Sequence, residues 1–383
     1  MNEKKHSKAN VIFFHPYFSN GGVERTNIGL ARELIKRKFS VIFITICATT
    51  HFIDEIQDIG IEFVELTAKS TIKAQIPLAT WIRRRRRECQ KIVVISCQYY
   101  VNLLTIIFRP LWGRNVKLIL SERNHYDEFQ LNQHGWKQKV ITMLVPILYK
   151  YADGIIANSK ELADDLSQWV GVDVKVVYNP TINDRLFNLA DQELKEDWFL
   201  MLERPVIIGV GRLSKQKGFD ILIRAFNKYS HTGYGTLVIL GEGDERSNLE
   251  KLINYNEKEK VRLQGFVENP YKFIKNSDLF ILSSRYEGLP NALIEALALR
   301  TKILSTNCRS GPKEILIGNL SKKIVTVDNV NMLANAMRIE LEIEGKKDYD
   351  TKELSNSLER FKPNNVGNEF TEILSQYVDR VNT

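Results

Sequence analysis

Short β-branched runs alternate with amphipathic helical patterns twice along this chain, and the alternation leaves few folds open. Val11–His15, Val41–Cys47, Ile61–Glu65, Ile92–Ser96, Lys117–Ser121, Gly154–Asn158 and Val174–Tyr178 read as strands. The series stops at Asn179-Pro180, and a polar, acidic stretch runs on to Arg204-Pro205. It restarts with Val206–Gly209, Leu237–Leu240, Val261–Leu263, Leu279–Ser283, Lys302–Ser305 and Ile324–Val327. Near-continuous apolar strands separated by helices predict a parallel sheet covered on both faces. Two such series predict an α/β protein of two doubly wound domains, 1–180 and 181–363. The ligand is expected at strand carboxyl ends, in the cleft between the domains. A length of 383 residues at 44% hydrophobic content is enough for two cores. The tail, 364–383, carries an amphipathic closing helix over Asn364–Val381.

The strand ends carry the chemistry. Gly211-Arg212-Leu-Ser-Lys-Gln-Lys217-Gly218 follows Val206–Val210 and places cations before a helix that starts at Phe219. Cations at a strand's carboxyl end, facing a helix N-terminus, suit a diphosphate. Gly241-Glu-Gly243 repeats the strand-to-glycine turn, and its glycines allow close backbone approach to a ligand. Ser-Ser-Arg-Tyr-Glu287-Gly288-Leu289-Pro290-Asn291-Ala-Leu-Ile-Glu295 sets two carboxylates eight positions apart across a loop that enters an apolar helix. Pro290 fits the first turn of that helix, where its missing N–H costs nothing. Near the start, Phe18-Ser-Asn-Gly21-Gly22-Val-Glu-Arg25 follows the first strand. It lacks the Gly-x-Gly-x-x-Gly fingerprint, which disfavours a nicotinamide dinucleotide.

Taken in this order, the Arg212/Lys217 loop, the Gly241-Gly243 turn and the Glu287-to-Glu295 segment resemble the nucleotide-binding half of family 4 glycosyltransferases, retaining enzymes of the GT-B fold. Ser310-Gly311-Pro-Lys-Glu314 resembles a stretch common in members that build bacterial surface polysaccharides. The resemblance implies that Glu287 contacts hydroxyls of the donor sugar and Glu295 the ribose hydroxyls, with Gly311 and Glu314 near the donor. It implies that Arg212 and Lys217 hold the diphosphate, whose charge grows as the glycosidic bond breaks; fixed cations stabilise that charge most in the transition state. Gly21 and Gly22 resemble the acceptor-side loop. Ser121-Glu-Arg123-Asn-His125 leaves the fifth strand where many members carry a sugar-contacting His, and Arg123 and His125 are both candidates. The resemblance further implies a UDP-linked donor, a lipid-diphosphate-linked saccharide as acceptor, and no cofactor or metal. The Asp348-Tyr-Asp350 triplet lies in a charged stretch far from the strand ends.

Charge adds a surface to this picture. Residues 1–180 carry 25 Lys and Arg against 17 Asp and Glu, while the remainder balances at 29 of each. The whole net charge of +8 thus belongs to the first half, which points to an anionic partner there. Trp81 followed at once by Ile82 and Arg83, Arg84, Arg85, Arg86 and Arg87 suits an anionic membrane surface, as do the amphipathic segments Tyr99–Trp112 and Trp136–Tyr151 with Lys137, Lys139 and Lys150. A nucleic-acid-binding module is the rival from another class, but it favours aromatics interleaved with cations along a groove, whereas these arginines are clustered. A phosphorylase or sugar-phosphate synthase on soluble substrates is the rival among enzymes. No apolar run approaches the roughly 20 residues that span a bilayer, and the polar start shows no signal peptide. A cytoplasmic enzyme, peripheral on the inner membrane face, is expected. Cys47, Cys89, Cys97 and Cys308 lack metal-ligand spacing; Cys47 and Cys97 are expected to pack as small hydrophobes at strand ends.

Overall fold

The computed structural model describes residues 9–19, 21–49, 52–89, 91–125, 136–230, 234–253, 260–342 and 349–379. It divides into two compact units, Met1–Pro180 with Pro363–Thr383, and Thr181–Lys362. Each is built on one parallel sheet, so the chain is an α/β protein with two Rossmann-like domains.

In the first unit the strands are β1 (Asn10–Phe14), β3 (Ser40–Thr45), β5 (Glu62–Glu65), β6 (Ile92–Cys97), β7 (Val116–Glu122), β8 (Gly154–Ala157) and β9 (Lys175–Val176), ordered β5-β3-β1-β6-β7-β8-β9. Two short strands absent from the sequence reading, β2 (Tyr17–Phe18) and β4 (Cys47–Ala48), pair beyond the ends of β1 and β3. Alternate side chains divide between two cores. Ile12 and Phe14 of β1 face a layer containing Ala74, Leu78, Ile82, Tyr99 and Leu162. Val11 and Phe13 face Leu30 and Leu34 of helix Gly22–Lys36, together with Phe370 and Leu374 of the terminal helix Pro363–Asp379. Two buried faces leave no solvated side to the sheet, which explains its unbroken apolar runs. Cys97 is fully buried as expected of a small hydrophobe, but Cys47 is exposed, because it belongs to the outlying β4 and not to the end of β3.

The second unit repeats the design with β10 (Val206–Val210), β11 (Thr236–Leu240), β12 (Val261–Gly265), β13 (Leu279–Leu282), β14 (Ile303–Thr306) and β15 (Ile324–Val325), ordered β12-β11-β10-β13-β14-β15. Every pairing is parallel. The acidic stretch before β10 folds into this unit. It forms the short helices Asp184–Ala190, capped by Asn183 Oδ1 accepting from the Leu186 amide at 3.1 Å, and Asp197–Leu200. Trp198 of the second helix stacks near Phe273 at 5.1 Å between centroids and lies beneath the Arg262 guanidinium.

Candidate functional site

The strand order of the second unit reverses between β10 and β13: the chain goes outward from β10 to one side, then returns to build the other. Loops leaving two such strands diverge and open a crevice at their carboxyl ends, the usual ligand position in open α/β sheets. The loops with the candidate residues leave β11, β10, β13 and β14, four neighbours in the sheet.

The β10 and β13 loops are fastened together. Gly218 adopts φ +60, and a Cβ there would lie 2.1 Å from the Ser283 carbonyl oxygen, so only glycine permits the contact. Ser283 Oγ donates to the Lys217 carbonyl at 2.8 Å, and the Arg285 amide donates to the Gln216 carbonyl at 2.7 Å. This register brings Lys217 Nζ to 2.6 Å from Glu287 Oε1, and Ser284 Oγ donates to the same oxygen at 2.6 Å. Glu287 is 4% exposed, and the lysine and the hydroxyl offset the cost of taking its carboxylate out of water. Lys217 has three N–H donors, so it can keep Glu287 and still address an anion. Arg212, on the same loop, is exposed and has no ion pair among the described residues. Lys215 is exposed as well.

The glycines of the β11 turn make a close approach within the protein itself. A Cβ on Gly241 would meet the Gly211 carbonyl oxygen at 1.9 Å, and one on Gly243 would meet that of Leu213 at 2.3 Å. What they admit is the backbone of the Arg212 loop, sealed by the Leu213 amide donating to the Glu242 carbonyl at 2.9 Å. The turn thereby sets the path of the loop that carries the cations.

Gly288, Leu289 and Pro290 are buried. Pro290 is the N-cap of helix Asn291–Ala298 and not its first residue, with its carbonyl accepting from the Leu293 amide at 3.1 Å. Asn291 and Glu295 are one turn apart and share a helix face. Both are partly buried; Glu295 Oε1 accepts from Tyr271 Oη at 3.2 Å, and Thr181 Oγ1 donates to Asn291 Oδ1 at 3.2 Å. Gly311, at φ +102, lets the β14 loop press on Pro290, whose Cδ lies 2.3 Å from where a Cβ would stand. Glu314, partly buried, sits in the short helix that Gly311 opens, Pro312–Ile315. Arg212, Lys217, Glu287, Glu295 and Glu314 therefore all lie on loops and helix starts at one edge of one sheet.

In the first unit Gly21 caps helix Gly22–Lys36, and a Cβ there would lie 2.5 Å from Glu24 Oε2. Glu24 is buried, its Oε1 accepting from the Ser19 amide at 3.1 Å and the Ser19 hydroxyl at 2.9 Å, with His15 Nδ1 4.0 Å away. Gly22 has nothing within 4 Å of a Cβ. Arg123 and His125 leave β7 and are both buried. Arg123 Nη1 donates to Asn179 Oδ1 at 2.8 Å and Nε to Ser121 Oγ at 3.1 Å, while Nη2 has no partner among the described residues. Burial holds the Arg123 guanidinium below its ordinary pKa. His125 Nε2 is 2.8 Å from Asp165 Oδ2.

His15 yields a pH prediction. Burial lowers its pKa, outweighing the opposing pull of Glu24. Because the folded value is depressed, the unfolded chain binds the extra proton first as pH falls below about 6.5. Stability should be fully present above that pH and decline beneath it. Urea melts at stepped pH should show the acid-side slope reduced in His15→Gln; an equal slope in both proteins contradicts the assignment.

The arginine run is divided by the fold. Trp81 is half-buried against the core, and Arg85 lies over its ring at 5.6 Å while pairing with Glu62 at 2.6 Å. Arg86 Nη1 donates to the Trp112 carbonyl at 3.3 Å. Only Arg83, Arg84 and Arg87 are exposed, so the expectation of a five-arginine surface narrows to three. Helix Thr71–Arg85 ends here, where cations also complement its dipole. The side chains of Trp136 and Lys137, and the residue Asp348, lie outside the described part.

The sequence reading missed the side chains that hold the site. Ser284 lies inside a quoted motif but carries no signal of its own; Tyr271, Asp165 and Asn179 reach their partners from distant elements. Among the described residues no group of three or more His, Cys, Asp or Glu converges, and no helix is long and apolar enough to cross a membrane.

Comparison with known proteins identifies the family. Residues 190–357 match the family described as glycosyl transferases group 1, and residues 20–185 match glycosyltransferase family 4. An uncharacterized glycosyltransferase of Methanocaldococcus jannaschii is 37% identical over 232 residues, 58% of this chain and 56% of that one. The Campylobacter jejuni N-acetylgalactosamine-N,N'-diacetylbacillosaminyl-diphospho-undecaprenol 4-alpha-N-acetylgalactosaminyltransferase is 29% identical over 335 residues, 84% of this chain and 87% of its own length. Anabaena HepE, solved with UDP and glucose, superimposes with a TM-score of 0.71 at 18% identity, covering 96% of this chain and 100% of that one. With both halves matched by family models and the whole fold shared, the chain belongs to the family 4 glycosyltransferases and has the GT-B fold.

Proposed function

We propose that this glycosyltransferase moves a sugar, with retention of configuration and without a metal, from a UDP-sugar to a hydroxyl of a lipid-diphosphate-linked saccharide in bacterial polysaccharide or glycan assembly. The observation that carries the reading is the fastening of Lys217 to buried Glu287 across the β10/β13 reversal, with exposed Arg212 on the same loop. Arg212 and Lys217 hold the diphosphate, Glu287 receives donor-sugar hydroxyls, and Glu295 receives ribose hydroxyls. The backbone around Gly288 to Asn291, with Gly311 and Glu314, lines the donor. In the first unit Gly21, Gly22, Arg123 and His125 serve the acceptor.

The chemistry is a front-face displacement. The acceptor hydroxyl oxygen bonds to the anomeric carbon as the bond from that carbon to the leaving phosphate oxygen breaks; its electron pair passes to the phosphate oxygen, which accepts the hydroxyl proton. The two cations stabilise the departing charge where a metal acts in other enzymes. Relatedness to a transferase whose name specifies a diphospho-undecaprenol acceptor supports the lipid-linked substrate, and the same relation favours an N-acetylhexosamine donor. The site of action under this reading is the inner face of the cytoplasmic membrane.

The test is UDP release from a panel of UDP-sugars, with lipid-diphosphate-linked saccharide, free saccharide or inorganic phosphate as acceptor, and mass spectrometry of the product. A hexose or N-acetylhexosamine mass added to the lipid-linked acceptor, unaffected by EDTA, is expected. Turnover with inorganic phosphate alone, or loss of activity in EDTA, refutes the corresponding part.

A further inference from the structure

Arg285 stands two positions before Glu287, but its guanidinium serves other partners. The side chain is 21% exposed, and all three of its nitrogens are engaged. Nη1 donates to Asp220 Oδ1 at 2.9 Å and to the Lys215 carbonyl at 2.8 Å, Nη2 donates to Asp220 Oδ2 at 2.7 Å, and Nε lies 2.8 Å from Asp328 Oδ1. The two carboxylates come from separate elements. Asp220 is the second residue of helix Phe219–Ser230, while Asp328 follows β15 at the far edge of the sheet, beyond β14. Asp328 has φ +57, in the left-handed region that aspartate enters more readily than most residues.

These bonds converge on one turn. Lys215, Gln216 and Lys217 form a single 3-10 turn, and each of its carbonyls accepts from the exit of β13. The Lys215 carbonyl accepts from Arg285 Nη1, that of Gln216 from the Arg285 amide at 2.7 Å, and that of Lys217 from Ser283 Oγ at 2.8 Å. Gln216 Nε2 answers by donating to the Tyr286 carbonyl at 3.1 Å. Arg285 thus supplies two of the three ties on the turn that ends in Lys217. It also occupies a rival acid. Asp220 comes three positions after Lys217, and an unpaired carboxylate there would compete with Glu287 for the Lys217 amine. The bidentate pair with Arg285 satisfies that carboxylate instead.

We infer that Arg285 is a positioning residue of the donor site, which fixes the Lys215–Lys217 turn and occupies Asp220 so that the Lys217 amine is aimed at the diphosphate. A planar fork held on two carboxylates and a carbonyl sets the turn in one place; the single ammonium of a lysine has no such geometry. A small displacement of the cation that faces the leaving group weakens its hold steeply, because the interaction depends on a preset distance. The inference deepens the proposed function and rests on the diphosphate role given there to Lys217, through which Arg285 acts.

Calorimetry of UDP binding to the full chain tests this without any acceptor. Lys217→Ala should weaken UDP at least tenfold and Arg285→Ala at least fivefold. In the double variant Arg285→Ala should cost no more than twofold beyond Lys217→Ala, because the group it positions is gone. A merely structural arginine gives no such coupling. Arg285→Lys keeps a charge without the fork; its urea midpoint should return close to the parent's while UDP binding stays at least threefold weaker. Should Arg285→Ala be unfolded at the assay temperature, Arg285→Lys carries the same cycle. UDP affinity within twofold of the parent in folded Arg285→Ala overturns the inference. So do losses that multiply in the double variant, or an Arg285→Lys that binds UDP as the parent does. Lys217→Ala with parental affinity sinks the diphosphate role in the proposed function and this inference with it, whereas a weakened Lys217→Ala beside an unaffected Arg285→Ala sinks the inference alone.

Discussion

Replacing Lys217 by alanine should lower turnover at least about tenfold, equivalent to ~1.4 kcal/mol of transition-state stabilisation, and Arg212→Ala should do the same. The two variants should differ in stability, and that difference is the informative part. Arg212 is exposed and has no ion pair among the described residues, so its removal should leave the urea midpoint unchanged. Lys217 lies 2.6 Å from a carboxylate that is 4% exposed. Its loss leaves Glu287 with Ser284 as its hydrogen-bond donor, a defect costing about 1–3 kcal/mol. Removing both partners as Lys217→Met with Glu287→Gln should recover stability without recovering activity. Steady-state UDP release and urea melts decide the matter: near-normal rates in Arg212→Ala and Lys217→Ala would remove the diphosphate role.

Gly241→Ala should be among the most damaging single-methyl additions in the second unit. The new Cβ would stand 1.9 Å from the Gly211 carbonyl oxygen, at φ +143, where L side chains are strained. Backbone strain and overpacking of this kind each cost about 1–3 kcal/mol. Because the struck atom is backbone at the start of the Arg212 loop, the displacement should also weaken UDP binding, measured by calorimetry. Gly22→Ala is the control, since nothing lies within 4 Å of its Cβ; its stability should equal the parent's or rise by up to about 1 kcal/mol. Equal melting of the two variants would show that the Gly241 contact is not tight.

Much of the fold was legible because burial on both faces leaves a strong local mark. Val206 to Val210 and Leu237 to Leu240 are apolar without interruption, and the glycines and cations directly after them mark the strand ends. The outlying pair of Tyr17–Phe18 with Cys47–Ala48 left no such mark, since two-residue strands carry no periodicity. That is why Cys47 was assigned to a core and is exposed. The arginine run was misjudged for a related reason: five consecutive residues sweep well over one helical turn, so some had to face inward, and Arg85 and Arg86 do.

Sequence alone determined the class of the protein, two parallel-sheet halves, and the residue types offered at the strand ends, because strand burial and turn chemistry are local properties written in consecutive positions. Tertiary structure decided what those residues do to one another: that Lys217 grips Glu287, that Gly241 and Gly243 admit a neighbouring loop, and that two of five consecutive arginines turn to partners on other elements. Such partnerships join residues tens of positions apart, and only the strand order and the closed distances of packing bring them within reach.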